Sequence, residues 1–194
     1  MPRKGRYYTI QADLYEMPAK LAHELAGLDE LGVELRSETV LERVRMAARS
    51  RAGIATLSRL SFRTQAGVPC GFSNLEKSEW VQDYTVDAQW KSTPVKTEVF
   101  EGFEYELCPQ PGEEGLHLQY KLKRSVLPRP VREVQITLSN GEQLKVHSLD
   151  LESKTLASSY DLAEDQILAA WLPGSQPGLV TLVCVRAELD PVRA

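Results

Sequence analysis

Cysteine is scarce: Cys70, Cys108 and Cys184 are the three in 194 residues. That is too few, and too scattered, for a disulfide framework or a thiolate metal cluster. Two readings stay open. Either all three are thiols, with Cys184 inside the apolar strand around it, or Cys70 and Cys108 form a bridge, which leaves one thiol over and needs an oxidising compartment. Long apolar runs are also missing, so no transmembrane helix is expected. The opening Met1-Pro2-Arg3-Lys4-Gly5-Arg6 is positive like the start of a signal peptide, but Tyr7 to Asp13 is not an apolar core. A cytoplasmic chain and a chain whose leader has been trimmed both fit. An excess of positive charge is absent too. The net charge is −4, so nucleic acid is not expected as a partner.

Motifs that carry chemistry are equally sparse. The chain holds no Gly-x-Gly-x-x-Gly, no phosphate-binding loop, no His-Glu-x-x-His and no Gly-x-Ser-x-Gly. His23 falls on a helix, and His117 and His147 on separate strands, so no metal set is expected. Asp13 and Glu16 lie three apart in a strand and face opposite sides, which excludes them as a carboxylate pair. Asp161, Glu164 and Asp165 resemble a calcium loop by charge alone, without the required spacing. Glu113 and Glu114 read as solvated loop residues. No catalytic, metal or cofactor-binding residue is therefore assigned.

What is present is ordinary globular composition, 42% hydrophobic and 26% charged, enough for a core without staples. Tyr8, Ile10, Ala12 and Leu14 alternate with polar neighbours, the period of a half-buried strand. Met17-Pro18 then opens a helix with Leu21, Leu25 and Leu28 on one face, weakened and closed by Gly27 and Gly32. Thr39-Val40-Leu41-Glu42 fits a capping box for a second helix. Its apolar stripe is Val40, Leu41, Val44, Ala47 and Ala48. Arg43, Arg45, Arg49 and Arg51 fall on the other side and read as a solvated face.

From Ile54 the period becomes two. Leu57 to Thr64 reads as a strand before a turn at Gln65-Ala66-Gly67. Trp80, Tyr84, Val86, Ala88 and Trp90 form one face of the next, read as core packing rather than a base-stacking platform. Phe103, Tyr105 and Leu107 answer Leu116, Leu118, Tyr120 and Leu122 across a turn at Pro109 to Gly112. Val134 to Val146 is a hairpin about Asn140-Gly141, with the sequence of a type I′ turn. Pro128-Arg129-Pro130 is a rigid bend. Gln166 to Trp171 is a short strand, Pro173-Gly174 and Pro177-Gly178 bracket a loop, and Leu179 to Leu189 is a long strand suited to the middle of a sheet. The expected fold is α+β, mainly antiparallel β in a sandwich-like or twisted sheet. A β-α-α segment (residues 1–53) precedes a body of seven to nine strands (residues 54–191), all in one domain (residues 1–194).

The order of these features resembles the secretin homology domain. The segment Tyr8 to Glu16 is similar to its opening strand, which ends in an acidic residue before a helix. Leu57 to Gly67 resembles the strand that runs into its glycine turn. Asp161 to Leu168 is similar to the acidic-Gly-Gln turn, with Asp165 where glycine is expected. Leu179 to Ala187 resembles the closing apolar strand. The proline- and glycine-rich stretch typical of secretins is missing. Lys121 and Lys123 interrupt the short alternation at Leu116 to Leu122 that a lipid-facing hairpin would need.

The resemblance implies a non-enzymatic envelope protein, a soluble relative or accessory subunit of a type IV pilus or of a type II or type III secretion apparatus. It would sit in the periplasm or at the outer membrane. It would work by assembly with other envelope or pilus proteins, or with itself, and need no cofactor. Strand addition at a sheet edge is the expected route. A second reading is an immunoglobulin-like β-sandwich that binds a ligand. A third is an enzyme with scattered carboxylates such as Asp13, Glu16 or Glu104.

Overall fold

The structure is a computed structural model that describes residues 6–27, 30–50, 53–112 and 115–190. Its elements run β1 (Tyr7–Pro18), α1 (Ala19–Ala26), β2 (Gly32–Ser37), α2 (Glu38–Ser50), β3 (Ala55–Gln65), β4 (Cys70–Val86), β5 (Ser92–Pro111), β6 (Leu116–Val126), β7 (Arg132–Thr137), β8 (Gln143–Ser148), β9 (Glu152–Leu162), β10 (Gln166–Pro173) and β11 (Leu179–Leu189). The fold is α+β and mostly antiparallel β, with a strand-helix-helix segment at its start, as the hydrophobic periodicities imply. Leu28, Arg51, Glu113 and Glu114, which those readings also used, lie outside the described residues.

Three layers result. The first sheet has the order β2-β10-β11-β1-β3, the second β4-β5-β6-β9, and β7 with β8 forms a separate hairpin. Ile10, Ala12, Leu14, Val183 and Val185 face the second sheet and meet Phe103, Leu107, Leu118 and Leu122 there. The alternate residues Tyr15, Met17, Leu182 and Cys184 face α1 and α2, where Leu25, Leu41 and Val44 cover them. The three middle strands of the first sheet are thus apolar on both faces, as the continuous run at Leu179 to Val185 requires. The helical layer makes this more than a two-sheet sandwich.

Several elements differ from their sequence reading, each for a local reason. The residue that caps α2 is Ser37: the amide of Thr39 donates to its hydroxyl over a long 3.4 Å. Thr39 itself lies inside the helix, so it cannot close a capping box. At the β7–β8 turn only Gly141 has positive φ (+83°), not Asn140. The Gly141 amide donates to the Leu138 carbonyl at 2.9 Å and the Leu138 amide to Glu142 at 2.8 Å. That is a type I turn closed by a glycine bulge, not a type I′ turn.

β4 ends at Val86, and Ala88 and Trp90 belong to the following turn. A bulge between Val81 and Asp83 also breaks the supposed even face. β5 continues through Pro109 to Pro111, which shortens the expected turn. β2 and β9 had no counterpart in the sequence reading.

The β4–β5 pair outruns the rest of its sheet. β6 meets β5 only from Gly102 to Pro111, so Glu76 to Val86 pairs with Ser92 to Glu101 as a two-stranded ribbon. At strand spacing that is a projection on the order of 35 Å. The β7–β8 hairpin braces it: the Trp80 and His147 rings meet edge-on at 5.0 Å, Arg129 stacks on Trp80 at 5.2 Å, and His147 Nδ1 lies 3.1 Å from the Val81 carbonyl. The aromatic run Trp80, Tyr84 and Trp90 is therefore not core. Trp80 and Tyr84 are half-buried under the hairpin, and Trp90 is exposed.

Candidate interaction surface

A strand inside a sheet satisfies its backbone on both sides, whereas an edge strand leaves one row of N–H and C=O groups for water or for a partner. The edges here are β2 and β3 in the first sheet, and β4 and β9 in the second. They meet in two seams along the flanks of the core between the sheets, and the seams differ.

The β2/β9 seam is closed. The Tyr160 hydroxyl of β9 donates to the Val33 carbonyl of β2 at 3.2 Å. The Tyr160 ring stacks on Tyr120 at 6.1 Å with the planes 4° apart. β9 also packs against β10. At the β3/β4 seam the strands meet only at the turn end, where Thr64 and Cys70 are hydrogen-bonded, and no β3–β4 strand pairing is present among the described residues. β3 pairs only with β1 and β4 only with β5. Leu60 and Phe62 of β3 and Cys70 and Phe72 of β4 reach the core but stay partly exposed. Phe62 and Phe72 sit on the Tyr105 ring, at 6.3 and 5.8 Å. Tyr105 is buried, and its hydroxyl has no hydrogen-bond partner among the described residues. Burial, and then the neighbouring Cys70, pushes its phenol up.

Two polar networks lie beside these seams. Asp13, on the helix-facing side of β1, is buried and takes Arg45 Nε at 2.8 Å and the Tyr15 hydroxyl at 2.8 Å. Arg59 closes the group, donating to the Tyr15 hydroxyl at 3.0 Å. Arg45 is thus not part of a purely solvated stripe. Its partner lies 32 positions away, beyond any local pattern. Glu16 points the other way, as strand alternation demands, and accepts from the Ser175 amide and hydroxyl at 2.5 and 2.7 Å. Arg124 approaches it at 3.8 Å. Glu104 pairs with Lys123 at 2.8 Å on the solvent face of the second sheet. Asp13, Glu16 and Glu104 therefore belong to three separate groups of contacts.

The other residues singled out from sequence are dispersed as well. His117 pairs with Asp161 at 2.9 Å between β6 and β9. Among the described residues no group of three or more histidine, cysteine, aspartate or glutamate side chains could hold a metal ion. All three cysteines stand as free thiols in the structure. Cys70 lies opposite Leu107, so by alternation Cys108 points from the opposite sheet face. In the sequence Tyr105 stands out only as one residue of a hairpin, and Tyr160 carries no motif of its own. Leu156, Tyr160 and Leu162 do keep the period of two, the one signal that could have placed β9.

The fold and its edges define an antiparallel two-sheet β protein with one helical cover and an open flank. No family model matches the sequence, and no curated protein does. Solved structures similar to it include the InvG secretin domain β-barrel from the Salmonella SPI-1 injectisome, at 12% identity and a TM-score of 0.43, over 98% of this chain and 64% of that one. The V. cholerae type IV competence pilus secretin PilQ is similar at 10% identity and a TM-score of 0.29, over 96% and 60%. The likeness to secretin domains is thus a distant structural one, and the chain spans less than two thirds of the length of these proteins. Among the described residues no helix is long and apolar enough to cross a membrane.

Proposed function

We propose that residues 1–194 act as one domain, a secretin-like protein of the cell envelope that works by assembling with copies of itself or with other secretion or pilus proteins. Strand addition is the route. The observation that carries this reading is the pair of long edges without a strand partner, β3 and β4, while among the described residues the carboxylates and histidines lie in separate groups of contacts. The row Leu116, Leu118, Tyr120 and Leu122 is turned into the core, which fits an accessory or soluble subunit better than a lipid-facing hairpin.

Light scattering after size exclusion tests the reading, together with photo-crosslinkers at Asn74 on β4 and Ser159 on β9 in an envelope preparation. Concentration-dependent oligomers, or crosslinks from these edges to identified envelope or pilus proteins, are expected. A strictly monomeric protein that crosslinks to neither ends the proposal.

A further inference from the structure

Strand addition does not say which edge is used or what it accepts. The β2/β9 seam is sealed by its own Tyr160–Val33 bond. The β3/β4 seam combines three unmet needs: an eleven-residue strand with one free edge, apolar side chains half in water at Leu60, Phe62 and Phe72, and the buried Tyr105 hydroxyl without an acceptor. A buried polar group left unpaired is costly. A single extended segment meets all three needs at once. Its backbone pairs with β3, its inward side chains cover the phenylalanines, and one of its carbonyls can accept a hydrogen bond from the Tyr105 hydroxyl.

Charge selects the occupant. The only charged residues on β3 are Arg59 and Arg63, both in the outward row, since Leu60 and Phe62 face the core. Arg45 and Arg49 of α2 lie beside Arg59. These four arginines face three carboxylates there, Asp13, Glu42 and Asp190. The surplus is positive on a chain whose net charge is −4. Pairing β3 with the β3 of a second copy would bring two such rows together, and like charges on neighbouring strands repel.

We propose that the β3/β4 seam receives an extended segment of a different protein, with apolar residues at alternate positions over Leu60, Phe62 and Phe72 and acidic residues between them facing Arg59 and Arg63. This rests on the strand-addition reading above but not on self-assembly. The test is therefore run on the protein as a monomer, where its failure is distinct from failure to oligomerise.

Fluorescein-labelled peptides of about nine residues, long enough to line most of β3, are titrated by anisotropy. One alternates Val and Glu, one alternates Val and Lys, and one scrambles the Val/Glu composition. The alternating Val/Glu peptide is expected to bind saturably, at least about tenfold tighter than either control, and to weaken with salt. Hydrogen exchange should slow across residues 55–65. Arg63→Glu, at a surface position, should shift the preference toward the Val/Lys peptide while circular dichroism stays unchanged. Equal binding of all three peptides, protection at β9 instead of β3, or no saturation in the millimolar range overturns the proposal. So does a peptide-free dimer that already protects residues 55–65, because the occupant is then a second copy.

Discussion

Asp13 shows how one buried charge organises its surroundings. It is accessible to solvent over only 3% of its surface, yet it stays tolerable because Arg45 and the Tyr15 hydroxyl both donate to it. Removing one partner of such a group strands the others. Asp13→Ala is expected to lower stability by about 3 kcal/mol in urea unfolding, and a loss below about 1 kcal/mol would show that water replaces the carboxylate freely. The same environment predicts an alkaline limit. Burial, then the bond to Asp13, pushes the Tyr15 phenol up to about 12, and burial pushes the Cys184 thiol up to about 12. Both groups are neutral when protonated, and their ordinary values are 10.0 and 9.0. Above pH 9 the unfolded chain therefore releases these protons first and binds fewer than the native one, so stability falls as pH rises. It should be flat up to about pH 9 and decline between about 9 and 12. Urea midpoints across that range are the measurement, and a midpoint that does not move would contradict the burial of both groups.

Among the elements, the β4–β5 ribbon depends on one backbone position. Gly102 has φ +148°, and a Cβ placed there would meet the Asn74 carbonyl oxygen at 2.0 Å and Leu75 Cα at 2.9 Å. Both are backbone atoms of the paired strand, so nothing flexible can give way. Gly102→Ala should separate the strands locally and cost on the order of 3 kcal/mol. Hydrogen exchange would rise first around residues 74–75, and unchanged protection there would refute the clash. The sequence made much of this architecture legible. Alternation placed β1, β3, β6 and β11, and the Asn-Gly pair placed the β7–β8 hairpin. β9 escaped because an edge strand, exposed on both faces along most of its length, needs few apolar residues, and Ser153, Thr155, Ser158 and Ser159 supply polar ones. β2 escaped because six residues between two helices offer too short a period. Trp80, Tyr84 and Trp90 misled because large side chains on a projecting ribbon alternate like a core strand. The candidate surface was not legible at all, since which edges stay open is a property of strand order rather than of any one strand.

At the scale of the whole molecule, the two sheets are tied at one end by a chain of charges. Glu16 on β1 holds Ser175 in the loop before β11. Arg124 on β6 lies beside it, 11% exposed, with a buried Nε that has no partner among the described residues. Glu101 on β5 accepts from the Leu127 amide and from Arg129, at 2.9 and 2.8 Å. Burial holds the Arg124 guanidinium below its ordinary value despite both carboxylates, so desolvation outweighs attraction at this site. The two ends of the pair should then respond unequally. Arg124→Met leaves Glu16 with both Ser175 donors and Glu101 with its own, removes a poorly satisfied buried cation, and should stay within about 1 kcal/mol of the parent. Glu16→Ala releases the loop and leaves Arg124 facing the remaining negative charge only at a distance, so a loss of about 3 kcal/mol is expected. Urea unfolding of both variants decides the point. Equal losses would mean that attraction between the sheets, and not the solvation of each charge by its own neighbours, holds this end of the molecule closed.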